Sequence, residues 1–103
     1  MPQCTYEDLR DDMKIIAVTF HSNGFKCRAY NRGTQFNVMD ASGVLQTFYP
    51  TTGTVVFHLS NEVCDRGKVK TFKHKTIRWF MDHLRNPETI RKLIMEETLN
   101  EES

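Results

Sequence analysis

A chain of 103 residues, 39% of them hydrophobic and 11% aromatic, can build one core but has no room for a second. The near-balance of 14 Lys plus Arg against 13 Asp plus Glu excludes a dedicated polyanion binder, whose footprint is a strongly basic total. Three widely spaced cysteines exclude a disulfide framework, and no apolar run reaches the roughly 20 residues that span a bilayer. The acidic, polar N-terminus lacks the regions of a signal peptide, so the expected location is the cytoplasm with reduced thiols.

The charge is segregated. Arg66, Lys68, Lys70, Lys73, Lys75 and Arg78 occur between Asp65 and Asp82 without an intervening carboxylate, whereas Glu7, Asp8, Asp11, Asp12, Glu96, Glu97, Glu101 and Glu102 crowd the ends. In chain order, Thr5 and Asp8 read as a capping pair for a short helix over Tyr6–Met13. Lys14–His21, rich in β-branched residues, reads as a first strand. Asn23-Gly24 then reads as a two-residue hairpin turn into a return strand, Phe25–Tyr30. Turns at Asn31-Arg32-Gly33, Asp40-Ala41-Ser42-Gly43 and Thr51-Thr52-Gly53 separate strands over Thr34–Met39, Val44–Tyr49 and Thr54–Leu59. Connections this short demand antiparallel neighbours.

Ser60–Lys75 is irregular and polar, with Val69 and Phe72 as anchors. Beyond it Ile77, Phe80, Met81 and Leu84 form one helical stripe. Asn86-Pro87-Glu88 reads as the cap and first turn of a second helix carrying Ile90, Leu93 and Ile94 inward, or as a kink in one long helix. The expected fold is a single α+β domain over residues 1–103. It is a five-stranded antiparallel meander packed with a C-terminal helix or helix pair and a short N-terminal helix.

Three chemistries were weighed against this frame. His21 with Cys27 and His58 with Cys64 repeat one spacing, and zinc takes four His or Cys ligands in a structural site. Strand parity puts Cys27 on the face of Phe20 and Phe25 and turns His21 away, so Cys27 reads as a buried small apolar residue. The candidate metal set is then His58, Cys64 and His74, with Cys4 as a further thiol and Zn2+ as an optional ligand.

The same parity turns Lys26, Arg28 and Tyr30 outward, beside Gln35 and Asn37, as a surface for phosphates and bases that the basic 66–78 loop could extend. The bland alternative is the polar outer face that any half-buried sheet has. No Gly-rich phosphate loop, nucleophile elbow or metalloprotease helix is present, so the chain is not expected to be an enzyme. Trp79 lies one helical step off the apolar stripe, and reads either as cover for a sheet edge or as an interface anchor.

The stretch from Thr34-Gln35-Phe36-Asn37-Val38 through Thr47-Phe48-Tyr49-Pro50-Thr51-Thr52-Gly53-Thr54-Val55 resembles a module of small phage-encoded proteins, in which an aromatic-Asn-Val strand precedes an aromatic-Pro-Thr-Thr-Gly turn. The resemblance covers about a fifth of the chain. It implies a phage or mobile-element protein of the anti-CRISPR inhibitor type. The expectation is therefore an interaction protein that binds and inhibits a host nucleic-acid-handling enzyme, such as a CRISPR effector with its guide RNA. Lys26, Arg28, Tyr30, Arg66, Lys68, Lys70, Lys73, Lys75 and Trp79 are its candidate contact residues. A direct DNA- or RNA-binding module is the alternative.

Overall fold

A computed structural model of the chain describes residues 5–59 and 69–102. Five antiparallel strands lie side by side in chain order: β1 (Cys27–Tyr30), β2 (Gln35–Met39), β3 (Leu45–Tyr49), β4 (Thr54–His58) and β5 (Val69–Phe72). The described helices are α1 (Asp11–Ser22), α2 (Ile77–Arg85) and α3 (Pro87–Glu102), with 3-10 turns at Tyr6–Asp8 and Asn31–Gly33. The α+β meander expected from the sequence is therefore present, but its membership differs at both ends.

The expected first strand, Lys14–His21, lies inside α1. Its β-branched residues lower helix propensity only slightly, and Met13, Ile16, Ala17 and Phe20 fall at i, i+3, i+4 and i+7 against the core. Thr19 and Ser22 return their hydroxyls to the carbonyls of Ile15 and Val18, at 2.8 and 2.7 Å.

Asn23-Gly24 is accordingly a helix stop instead of a hairpin. Gly24 takes φ +83° and donates its N–H to His21 O, while Phe25 N–H reaches back to Phe20 O at 3.0 Å. These two bonds form a Schellman motif and satisfy carbonyls that the helix end would leave bare. The short helix expected over Tyr6–Met13 is also split, because Leu9 and Arg10 are extended between the 3-10 turn and α1. Thr5 does not cap it, and donates its hydroxyl to Asp8 Oδ2 instead.

The fifth strand comes from the stretch that reads as irregular. Val55 pairs with Phe72, and His58 with Val69. Lys70 faces inward with Phe72 while Val69 faces out, so the strand lacks the alternation that announces a half-buried strand.

Strands β2, β3 and β4 alternate buried and half-buried residues, and the buried rows face the helices. Phe20 of α1 has no exposed surface, and its ring meets those of Phe36, Phe48 and Phe80 at centroid distances of 5.7, 6.1 and 5.8 Å. Burial of each such side chain contributes about 2–3 kcal/mol. From the C-terminal side Met81, Leu84, Ile90 and Ile94 complete the core. Thr76 caps α2 by accepting from Trp79 N–H, and Asn86 separates two distinct helices.

One glycine is fixed by packing. Gly33, at φ +95°, lies so close to Met13 that any β-carbon there would collide with the methionine side chain. The β1–β2 turn is thus pressed onto the first turn of α1, and Arg10 N–H closes the contact on Arg32 O.

Candidate binding surfaces

All the described helices pack on one face of the sheet, so its other face carries no second layer among the described residues. The register arranges that outer face in rows. The middle row runs Arg28, Asn37, Thr47, Val56, Thr71 across all five strands. Tyr30, Gln35, Tyr49 and Thr54 flank it on one side, and Met39, Leu45, His58 and Val69 on the other. Within the middle row, Thr47 Oγ1 donates to Asn37 Oδ1 at 3.1 Å and lies 3.5 Å from His58 Nε2.

Parity placed Lys26, Arg28 and Tyr30 correctly on this outward side. Lys26 and Arg28 are exposed and Tyr30 is half-buried. Arg28 is the one formal charge among the outward-facing strand residues described, in a chain whose charged fraction is 26%. Lys26 and Lys73 stand at the rims, just outside the strands. Tyr, Met and Arg are the residue types enriched in protein interfaces, where Lys, Glu and Asp are depleted.

Of the basic run's described lysines, Lys73 stays at the rim of this face, whereas Lys70 and Lys75 leave it. Lys70 points to the helix side, with Nζ 5.2 Å from the Phe72 ring centroid, and Lys75 Nζ sits 4.8 Å over Trp79. Trp79 takes the sheet-covering position. Its ring is 5.6 Å from Phe57, 5.3 Å from Phe72 and 4.2 Å from His83. Arg66 and Lys68 lie outside the described residues.

The candidate metal set is not brought together. His58 ends β4, opposite Val69, whereas His74 follows β5 beside Gly53, whose carbonyl accepts from Lys75 N–H. A whole strand separates the two imidazoles, about 17 Å at the usual rise, and Cys64 lies outside the described residues. Among the described residues no three His, Cys, Asp or Glu converge on a metal position.

His58 is held by its neighbours instead. Gln46, 1% exposed, reaches from β3 past the end of the β3–β4 pairing. It donates Nε2–H to His58 O at 2.9 Å and accepts His58 N–H. The same amide nitrogen donates to buried Asp40 Oδ2, while Asp40 Oδ1 gathers the N–H groups of Ser42 and Val44 in the β2–β3 turn. Every polar atom of this buried pair has a partner. Burial lowers the His58 pKa from its ordinary value.

A second surface was invisible to the sequence reading. A half-open groove of about 400 Å3 runs between α1 and β1, bordered by Tyr6, Leu9, Ala17, Val18, His21 and Cys27. Burial pushes the Cys27 thiol above its ordinary pKa, which favours its neutral form. Reading Lys14–His21 as a strand hid the groove. The available signal was that α1 is apolar on two sides, with Ile15 and Val18 opposite the buried set.

The fold is an α+β domain whose five-stranded antiparallel sheet has one face left uncovered by the described residues. No protein-family profile matches the chain, and neither a curated protein nor a solved structure matches it. Among the described residues, no helix is long and apolar enough to cross a membrane.

Proposed function

We propose that this chain is a non-catalytic interaction protein that occupies a surface of a larger protein partner. One observation carries this reading: the outer sheet face is broad, uncovered by the described helices, and poor in charge, while Tyr30, Tyr49, Met39 and Arg28 give it an interface composition. A surface for bare nucleic acid needs cations that track a phosphate backbone. Here Lys70 and Lys75 turn toward aromatic rings on the helix side, away from that face. The preferred partner is a nucleic-acid-handling host enzyme, such as a CRISPR effector with its guide RNA. The sequence resemblance to phage-encoded proteins supports that choice.

Two titrations test it. Labelled single-stranded DNA and RNA are titrated with the purified chain across salt, and a CRISPR effector–guide complex is assayed for cleavage with increasing amounts of the chain. The expected result is no association with bare nucleic acid at low salt and a loss of cleavage that saturates near one chain per effector. Micromolar binding to bare nucleic acid that collapses as salt rises would favour the direct-binding alternative.

A further inference from the structure

Among the described residues the sheet ends at β1, and the ladder shows which of its backbone groups β2 leaves unused. Met39 N–H bonds to Lys26 O at 2.9 Å, so Lys26 and Met39 form a hydrogen-bonded pair. In an antiparallel ladder such pairs alternate, which turns Arg28 and Tyr30 toward β2 and turns the N–H and C=O of Cys27 and Ala29 to the open edge. Beneath that edge lies the α1–β1 groove, with buried Leu9 and Phe36 at its floor. Beside it Val18 is 49% exposed and Tyr6 53%.

We propose that this edge and groove receive an extended peptide segment of the partner protein, added as a sixth strand antiparallel to β1. The inference rests on the binding-module reading and names the surface and the form of the ligand. An added strand takes backbone bonds from Cys27 and Ala29 and sends alternate side chains into the groove, so affinity comes from the main chain and selectivity from the pocket. The lining mixes Leu9, Ala17, Val18 and Ala29 with the rings of Tyr6 and Phe36, which suits apolar side chains.

Charge sets the polarity. Arg10 N–H bonds to Arg32 O, which puts Glu7 and Asp8 near the Tyr30 end of the groove, while Asp12 and Asp11 at that end are paired with Arg10 and Lys14 at 2.9 and 3.7 Å. His21 lies at the Cys27 end, where Phe25 N–H bonds to Phe20 O. A strand antiparallel to β1 enters at the end that carries Glu7 and Asp8, so the ligand carries a Lys or Arg on the N-terminal side of its apolar residues.

The same charges disfavour a second copy of this chain. A two-fold axis between the edges must set Cys27 opposite Ala29, Cys27 opposite itself, or Ala29 opposite itself. The first puts Arg28 against its own copy, and the second puts Arg28 against Lys26. The third brings the two acidic ends together.

The test is selection of a phage-displayed random dodecapeptide library on the immobilised full chain, then anisotropy with a labelled enriched peptide. Two edge variants are compared with the unaltered chain. Cys27→Pro removes one edge N–H that β2 does not use, and Val18→Glu puts a charge on the groove wall. Expected are enriched sequences with a basic residue followed by alternating apolar residues. Each variant weakens binding roughly tenfold or more while keeping the far-UV circular dichroism of the parent.

Peptide binding that both variants leave intact overturns the proposal, as does an absence of enriched peptides or a stable dimer by light scattering. If binding survives both edge variants but is lost in Tyr49→Ala, the edge assignment fails while the binding-module reading stands.

Discussion

The two edges of this sheet are built to opposite ends. At β5 the rings of Phe57, Phe72, Trp79 and His83 close against one another, and Lys70 and Lys75 lie over two of them. Lysines on an edge strand discourage a further strand from joining. At β1 there is no lysine within the strand, a cavity lies beneath it, and exposed apolar side chains border it. One edge is thus anchored by packing, and the other holds backbone groups and apolar surface in reserve.

The largest effect should come from the anchored edge. Phe57→Ala removes a fully buried ring that touches Phe72, Trp79 and Phe80, and should cost about 3–5 kcal/mol by urea unfolding. A loss below about 1 kcal/mol would mean that the aromatic wall is not what holds β4 and β5.

Between the edges, Gln46→Leu keeps the volume but strips His58 of two backbone partners and Asp40 of one donor. It should cost about 2–3 kcal/mol, with the amides of His58 and Val44 exchanging faster.

At the open edge the expectation reverses. Val18→Glu and Ile15→Lys should change stability by less than about 0.5 kcal/mol, because neither side chain contributes to the core. A larger loss would show that α1 relies on its outer side.

The smallest effect is a pH dependence. His58 has its pKa lowered by burial, so the unfolded chain binds more protons as pH falls and stability rises with pH. The loss begins below the unfolded value of about 6.5 and levels off beneath the lowered folded value. His58→Gln should flatten the slope of the unfolding midpoint between pH 7 and 5, roughly the interval in which an unperturbed histidine titrates.

The legibility of these regions from sequence follows the same division. Strands β2 to β4 were readable because each is a short run rich in β-branched and aromatic residues, and glycine-bearing turns separate them. The α2 stripe and the break at Asn86-Pro87 were readable because a 3.6-residue period and a first-turn proline coincide. Helix α1 was not, because Ile15, Ile16, Val18 and Thr19 carry strand propensity and Asn23-Gly24 serves equally as hairpin turn or helix stop. Packing of Phe20 against Phe36, Phe48 and Phe80 decides between them, and no local pattern contains that information. Strand β5 was hidden because Lys70 occupies an inward position.

For the candidate surfaces, parity correctly set Lys26, Arg28 and Tyr30 outward. The groove was illegible because it exists only where a helix, not a strand, precedes β1. Lys70 and Lys75 were misplaced because the facing of β5 could not be read from its sequence.

Amide hydrogen exchange in the free, unaltered chain tests the open edge most directly. With the edge uncovered, the amides of Cys27 and Ala29 exchange rapidly while those of Arg28 and Tyr30, bonded to β2, are protected. Strong protection of Cys27 and Ala29 in the isolated monomer would mean that the edge is already covered, and would contradict a surface held ready for a partner strand.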